Sequence, residues 1–160
     1  MAKVVQTQQQ VIIEPWWLKI KIIGIGLGAG VLWWVLTVLF RQYIVEPLAC
    51  RDLSTAAACV DSFSVSGSIA TVLVAVVGLI VLVRFIQPRP IIIALSSAVA
   101  LWNLGALVEG LAWWWSLLFS VVLYVISYTL FGLVARIPWL LWSIVLAVLI
   151  VAGTRILLAF

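Results

Sequence analysis

From Ile91 to Val134 the chain runs for forty-four residues with a single charge, Glu109. As a helix this stretch would measure about 66 Å at 1.5 Å per residue. A hydrocarbon core is only about 30 Å thick. The run is therefore too long for one crossing and has the length of two. Glu109-Gly110 supplies a polar, flexible point for the reversal, and Trp113-Trp114-Trp115 follows it as an interfacial aromatic belt. The segment is read as a helical hairpin.

The rest of the chain divides in the same way. Residues 1–21 form a polar arm, and Ile22 to Phe40 follows with nineteen uncharged residues. Its apolar stretch exceeds that of a secretory signal, and Arg41 stands where a small-residue cleavage site would be needed. Residues 41–65 are expected to form the one substantial loop. A second span is predicted over about 66–86 and is closed by Gln87-Pro88-Arg89-Pro90, whose prolines stop helices on either side. Two more are predicted at about 91–111 and 113–134, and Arg136-Ile137-Pro138 separates the last, about 139–158. The expectation is a five-span helix bundle forming one transmembrane domain over residues 22–160. An alternative threads residues 91–134 as one span plus a re-entrant piece. With the N-terminus inside, six of nine Lys and Arg lie on the cytoplasmic side and three outside. The positive-inside rule then predicts a cytoplasmic-membrane protein with its C-terminus outside.

Composition narrows the chemistry. Hydrophobic residues make up 67% of the chain and charged residues 9%, with no histidine. That removes Ser-His-Asp and Cys-His catalysis, imidazole metal sites and the usual haem ligand. The five acids, Glu14, Glu46, Asp52, Asp61 and Glu109, form no close pair inside an apolar segment, as a proton relay or di-metal site would need. No cofactor or metal is expected. The basic residues are dispersed beside apolar runs rather than gathered into a stripe, so nucleic acid is not an expected partner.

Four features are candidates for something more specific. Gly24, Gly26, Gly28 and Gly30 resemble a dinucleotide-binding turn, but the all-apolar Val31 to Phe40 that follows defeats that reading. The same glycines make two overlapping G-x-x-x-G spacings, which let helix backbones approach closely, within the chain or between copies. Cys50 and Cys59 lie in the outer loop, where a disulfide is expected from the oxidising compartment. A redox role would need a close C-x-x-C pair and a relay partner. Ser116, Ser120, Tyr124, Ser127 and Tyr128 recur at helical spacing and share one face, forming a polar seam expected to meet Ser96 and Asn103 of the preceding helix. Trp33, Trp34 and Trp102 lie deeper than the belt tryptophans, and Trp33 and Trp102 join the possible ligand-facing set. Finally, Glu109 and Arg155 fall at similar depth near the outer boundary and are expected to pair, with Arg41 as the alternative partner for Glu109.

Trp115-Ser116-Leu117-Leu118-Phe119 and Pro138-Trp139-Leu140-Leu141-Trp142 resemble fragments of the tryptophan-rich sensory (translocator) family. That family has five spans and binds porphyrins and sterol-like ligands. The two fragments cover ten residues of 160. The loop after the first span carries two cysteines where the family has Pro and Trp, and the nearest asparagine, Asn103, is twelve residues before the Trp115-Ser116 step. Membership is not inferred, and no residue role is carried over. The leading expectation is a non-enzymatic structural or accessory subunit of a membrane complex, with lipid and a protein partner or a second copy as its contacts. The alternative is a binder or carrier of an apolar small molecule, lipid or porphyrin-like, within the bundle. An enzyme acting on lipid or thiols ranks third.

Overall fold

The computed structural model describes residues 16–49, 62–84, 90–137 and 139–159. Every regular element among them is helical. Helix α1 spans Trp16–Phe40 and continues through a π-helical turn, Arg41–Val45, into the short α2, Glu46–Ala49. Then come α3 (Ser62–Arg84), α4 (Pro90–Ala100), α5 (Leu104–Val108), α6 (Trp113–Val134) and α7 (Leu140–Ala159).

Three stretches are long and apolar enough to cross a membrane: Lys19–Leu48, Ser62–Arg84 and Trp113–Val134. Large apolar side chains such as Leu27, Val76, Ile80, Leu118 and Val148 point outward from these helices and from α7. A water-soluble protein of this size keeps such patches small, whereas a bilayer solvates them. The core lies at the centre of the bundle, where Trp33, Val74, Leu82, Ile93, Leu104, Tyr124, Tyr128 and Phe131 are almost wholly buried. Helix α1 packs chiefly on α6 and α3, α3 also carries α4 and α5, and α7 lies against α4 and α6.

The helices overrun the boundaries expected from charge. Helix α1 begins at Trp16 instead of Ile22, and the expected loop 41–65 is helical through Ala49 and again from Ser62. Charge marks where a helix leaves hydrocarbon, and a helix in water or headgroups need not end there. The π turn adds a residue to one turn and brings Arg41 beside Glu46, with Nε donating to Oε1 at 2.9 Å. The Arg41 guanidinium also sits 5.8 Å from the Phe63 ring centroid. Arg41 is thus engaged on its own side of the bundle. Both members of its ion pair are nearly half exposed, so the pair adds at most about 1 kcal/mol.

A larger departure falls in the third apolar segment. In place of one continuous helix over 91–111, α4 stops at Ala100, residues 101–103 form a turn, and α5 adds five residues. The hydrogen-bond ladder slips here. Leu101 N still donates to Ser97 O, but Trp102 N reaches Val99 O at 3.5 Å and Leu104 N reaches Leu101 O at 3.0 Å. Both halves of the broken segment pack on α3. A Cβ on Gly67 would lie 3.2 Å from Gly105 Cα, and one on Gly105 would lie 3.0 Å from Phe63 O and from Ser64 Cα. The backbones of α3 and α5 therefore touch at a glycine couple just after the break. Asn103, whose side chain competes for local backbone bonds and disfavours helix interiors, sits in the turn. After α5 the chain reverses between Glu109 and Ala112, where Gly110 adopts φ +82°, a conformation costly to any residue with a Cβ.

Candidate functional site

The four glycines of α1 divide into two pairs with different fates. A Cβ on Gly26 would lie 2.9 Å from Val125 Cα, and one on Gly30 would lie 2.5 Å from Val121 Cα. This pair therefore lets α1 and α6 meet backbone to backbone. Gly24 and Gly28 have nothing within 4 Å. They open onto a groove of about 420 Å³ between α1 and α3, lined by Ile25, Leu32, Val74, Val77 and Gly78, with Lys21 at one end.

The seam of α6 is buried, and most of it faces α1 and α3. Ser116, Ser120, Tyr124, Ser127 and Tyr128 are all enclosed. The Tyr124 ring lies 6.4 Å from Trp33 and 6.2 Å from Tyr128. The Tyr128 hydroxyl occupies the space a side chain at Gly78 would need. The Ser120 hydroxyl donates to Leu117 O at 2.8 Å and lies 3.5 Å from Gly30 O. The expected pairing of this seam with Asn103 does not form: Asn103 is exposed, and no hydrogen bond joins its side chain to the seam among the described residues. Asn103 instead sits in the break between α4 and α5, at the edge of the cavity described below.

Trp33 is completely buried and locks α1 to α3. Its indole Nε1 donates to Thr71 Oγ1 at 2.9 Å and to Gly67 O at 3.0 Å. Thr71 in turn donates to Gly67 O at 2.8 Å, and Thr37 donates to Trp33 O at 2.8 Å. An indole N–H in hydrocarbon needs such partners, and here they are supplied by the protein. Trp33 lines neither the groove nor the cavity described next. Trp102 is exposed in the turn between α4 and α5, and the Trp34 ring lies tilted toward that of Trp113, 6.5 Å away.

A second cavity, of about 490 Å³, lies between the broken segment α4–α5, α6 and α7. Leu101, Leu104 and Leu107 form one wall, Leu123, Ile126, Leu130 and Phe131 another, and Ile150 of α7 closes a third. Among the described residues two polar ones belong to the lining, Asn103 and Ser127. The Ser127 hydroxyl is buried and has no hydrogen-bond partner. Along α6 the lining runs from Phe119 to Phe131, about 18 Å at the helical rise. The signal missed in the sequence was the glycine couple, since Gly67 and Gly105 belong to no repeated spacing.

Glu109 is exposed at the reversal and forms no ion pair with another described residue. The side chain of Arg155, and with it the expected Glu109–Arg155 pair, lies outside the described residues, as do Cys50 and Cys59. Among the described residues no group of three or more His, Cys, Asp and Glu side chains could hold a metal ion.

Set beside sequence models of known families, curated proteins and solved structures, the chain matches none of them.

Proposed function

We propose that this membrane protein binds or carries an apolar small molecule in the cavity between α4–α5, α6 and α7. The cavity itself carries the reading. At about 490 Å³ it lies within the range of about 300–1,000 Å³ typical of small-molecule sites, mostly apolar with a few placed polar groups. Irregular backbone at membrane depth is tolerated where it is covered by protein or lines a cavity, and the 101–103 turn adjoins this one. The test is to purify the full chain in mild detergent and extract what travels with it. A near-stoichiometric apolar molecule is expected with the wild type and not with Ala100→Phe, which fills the cavity. The same extract from both proteins would defeat the reading.

The accessory-subunit reading keeps one specific support, the open Gly24/Gly28 face of α1. If it seats a helix of another chain or a second copy, Gly28→Leu should abolish that assembly while the monomer stays folded. Assembly unchanged by the substitution would count against it.

The proposed setting is the cytoplasmic membrane, crossed five times with the N-terminus inside. The nineteen residues from Pro90 to Val108 and the 20 residues of α7 each give about 28–30 Å of rise, enough for the two further crossings. Cys50 and Cys59 would then lie outside, joined in a disulfide. Intact mass should rise by two hydrogens on reduction, and free thiols before reduction would refute the bond.

A further inference from the structure

We infer that the groove between α1 and α3 holds one acyl chain of an acidic phospholipid, with the negatively charged headgroup at the Lys21 end. The site is separate from the cavity proposed above and does not rest on it. Length selects a lipid chain over a helix. Along α1 the lining runs from Lys21 to Leu32, about 16 Å at the helical rise, close to half of a core about 30 Å thick. Directly beyond it Trp33 is bonded to Thr71 and to Gly67 O, and these contacts close the seam between the two helices. The groove is thus one leaflet deep and blind at its far end. Gly24 and Gly28 are exposed and meet nothing within 4 Å, so it opens sideways, where a chain of one leaflet enters. A neighbouring helix runs through both leaflets, and the locked half offers it no groove.

Charge selects the headgroup. Helices α3 and α6 both run antiparallel to α1, since Thr71 meets Trp33 and Gly132 lies beside Ile22. Lys19, Lys21, Arg84 and Arg136 therefore share the end of the bundle at which the groove begins. The two acids among the described residues, Glu46 and Glu109, lie at the opposite end, where Arg41 pairs with Glu46. Basic residues near a membrane surface attract acidic lipid. Lys21 is the one that lines the groove among the described residues, and a lysine lays its stem along apolar surface while its ammonium reaches the headgroups. A zwitterionic headgroup brings no net charge to meet it.

Photolabelling of the full chain in phosphatidylcholine vesicles tests this with two probes that carry the same diazirine acyl chain, one a phosphatidylglycerol and one a phosphatidylcholine. Residues 144–149 of α7, mostly exposed, serve as the reference. Relative to them, the phosphatidylglycerol should label residues 24–32 and 74–81 about fivefold more than the phosphatidylcholine does, the factor one basic residue near the surface supplies. Lys21→Gln should remove that excess. Lys19→Gln, which takes the same charge from the same end outside the groove, should keep it. Gly24→Leu, placed in open space, should leave the fold intact and lower labelling of 74–81 by both probes. Equal labelling by the two lipids overturns the inference, as does labelling of 74–81 unchanged by Gly24→Leu. An excess that both lysine variants reduce alike also overturns it, because it reports only the surface charge of that end. Labelling of the groove no higher than that of 144–149 by either probe overturns it as well and leaves the groove to a helix of another chain. None of these outcomes bears on the cavity between α4–α5, α6 and α7.

Discussion

At the residue scale, the glycines of α1 show that one spacing can serve two purposes. Gly26 and Gly30 lie against backbone atoms of α6, which cannot rotate aside. Gly24 and Gly28, two positions away, face open space. Gly30→Ala must push α1 and α6 apart and should cost about 1–3 kcal/mol, the usual range for overpacking. Gly24→Ala should be close to neutral. Resistance to unfolding in graded SDS separates them, and equal behaviour of the two variants would mean that the α1–α6 contact is not the tight one. Trp33 gives a second case. Trp33→Phe keeps a ring but removes the donor shared by Thr71 and Gly67, and should destabilise by at least the ~0.6 kcal/mol typical of one interhelical bond in a membrane. No loss in the same SDS assay would show that the bond contributes nothing.

At the scale of elements, the break between α4 and α5 is the feature with most consequence for the site. Its weakened ladder should make the amides of residues 101–104 exchange hydrogen faster than those of residues 116–130 in lipid nanodiscs. Uniform protection across both segments would contradict the break. The location of the apolar segments was legible in the sequence because hydrocarbon forbids charge and demands satisfied backbone. The shared face of the α6 seam was legible because helical spacing is regular. The bend was not, since Leu101-Trp102-Asn103-Leu104 contains no proline and reads as ordinary helix. The meeting of Gly67 with Gly105 beside it joins residues thirty-eight apart in the chain, and a contact of that kind leaves no periodic mark. The helix ends were misread for a related reason: charge at Lys21 and Arg41 was read as an end, while helical structure runs from Trp16 through the π turn to Ala49.

At the scale of the whole molecule, three helical stretches among the described residues meet the length and apolarity of a membrane span, and the two further crossings we propose would rest on the segmented α4–α5 and on α7. A reporter fused after Phe160 discriminates. With five crossings and the N-terminus inside, it should be active only outside the cytoplasm, and cytoplasmic activity would remove either the count or the orientation. The same inventory explains why the candidate site is a cavity at all. The broken α4–α5 segment, α6 and α7 together supply its walls.

The backbone contact of α1 with α6 at Gly26 and Gly30 also determines which agents can take this protein apart. Helices in a bilayer exchange one apolar neighbour, the lipid tail, for another, so their association draws little on water release. Urea acts in proportion to the surface newly exposed to water, and separating α1 from α6 within the bilayer exposes almost none. The heat-capacity change that accompanies such exposure should be small for the same reason. The bundle will thus withstand concentrated urea while it stays in lipid, and yield to a change of amphiphile that competes for the glycine-lined surfaces themselves.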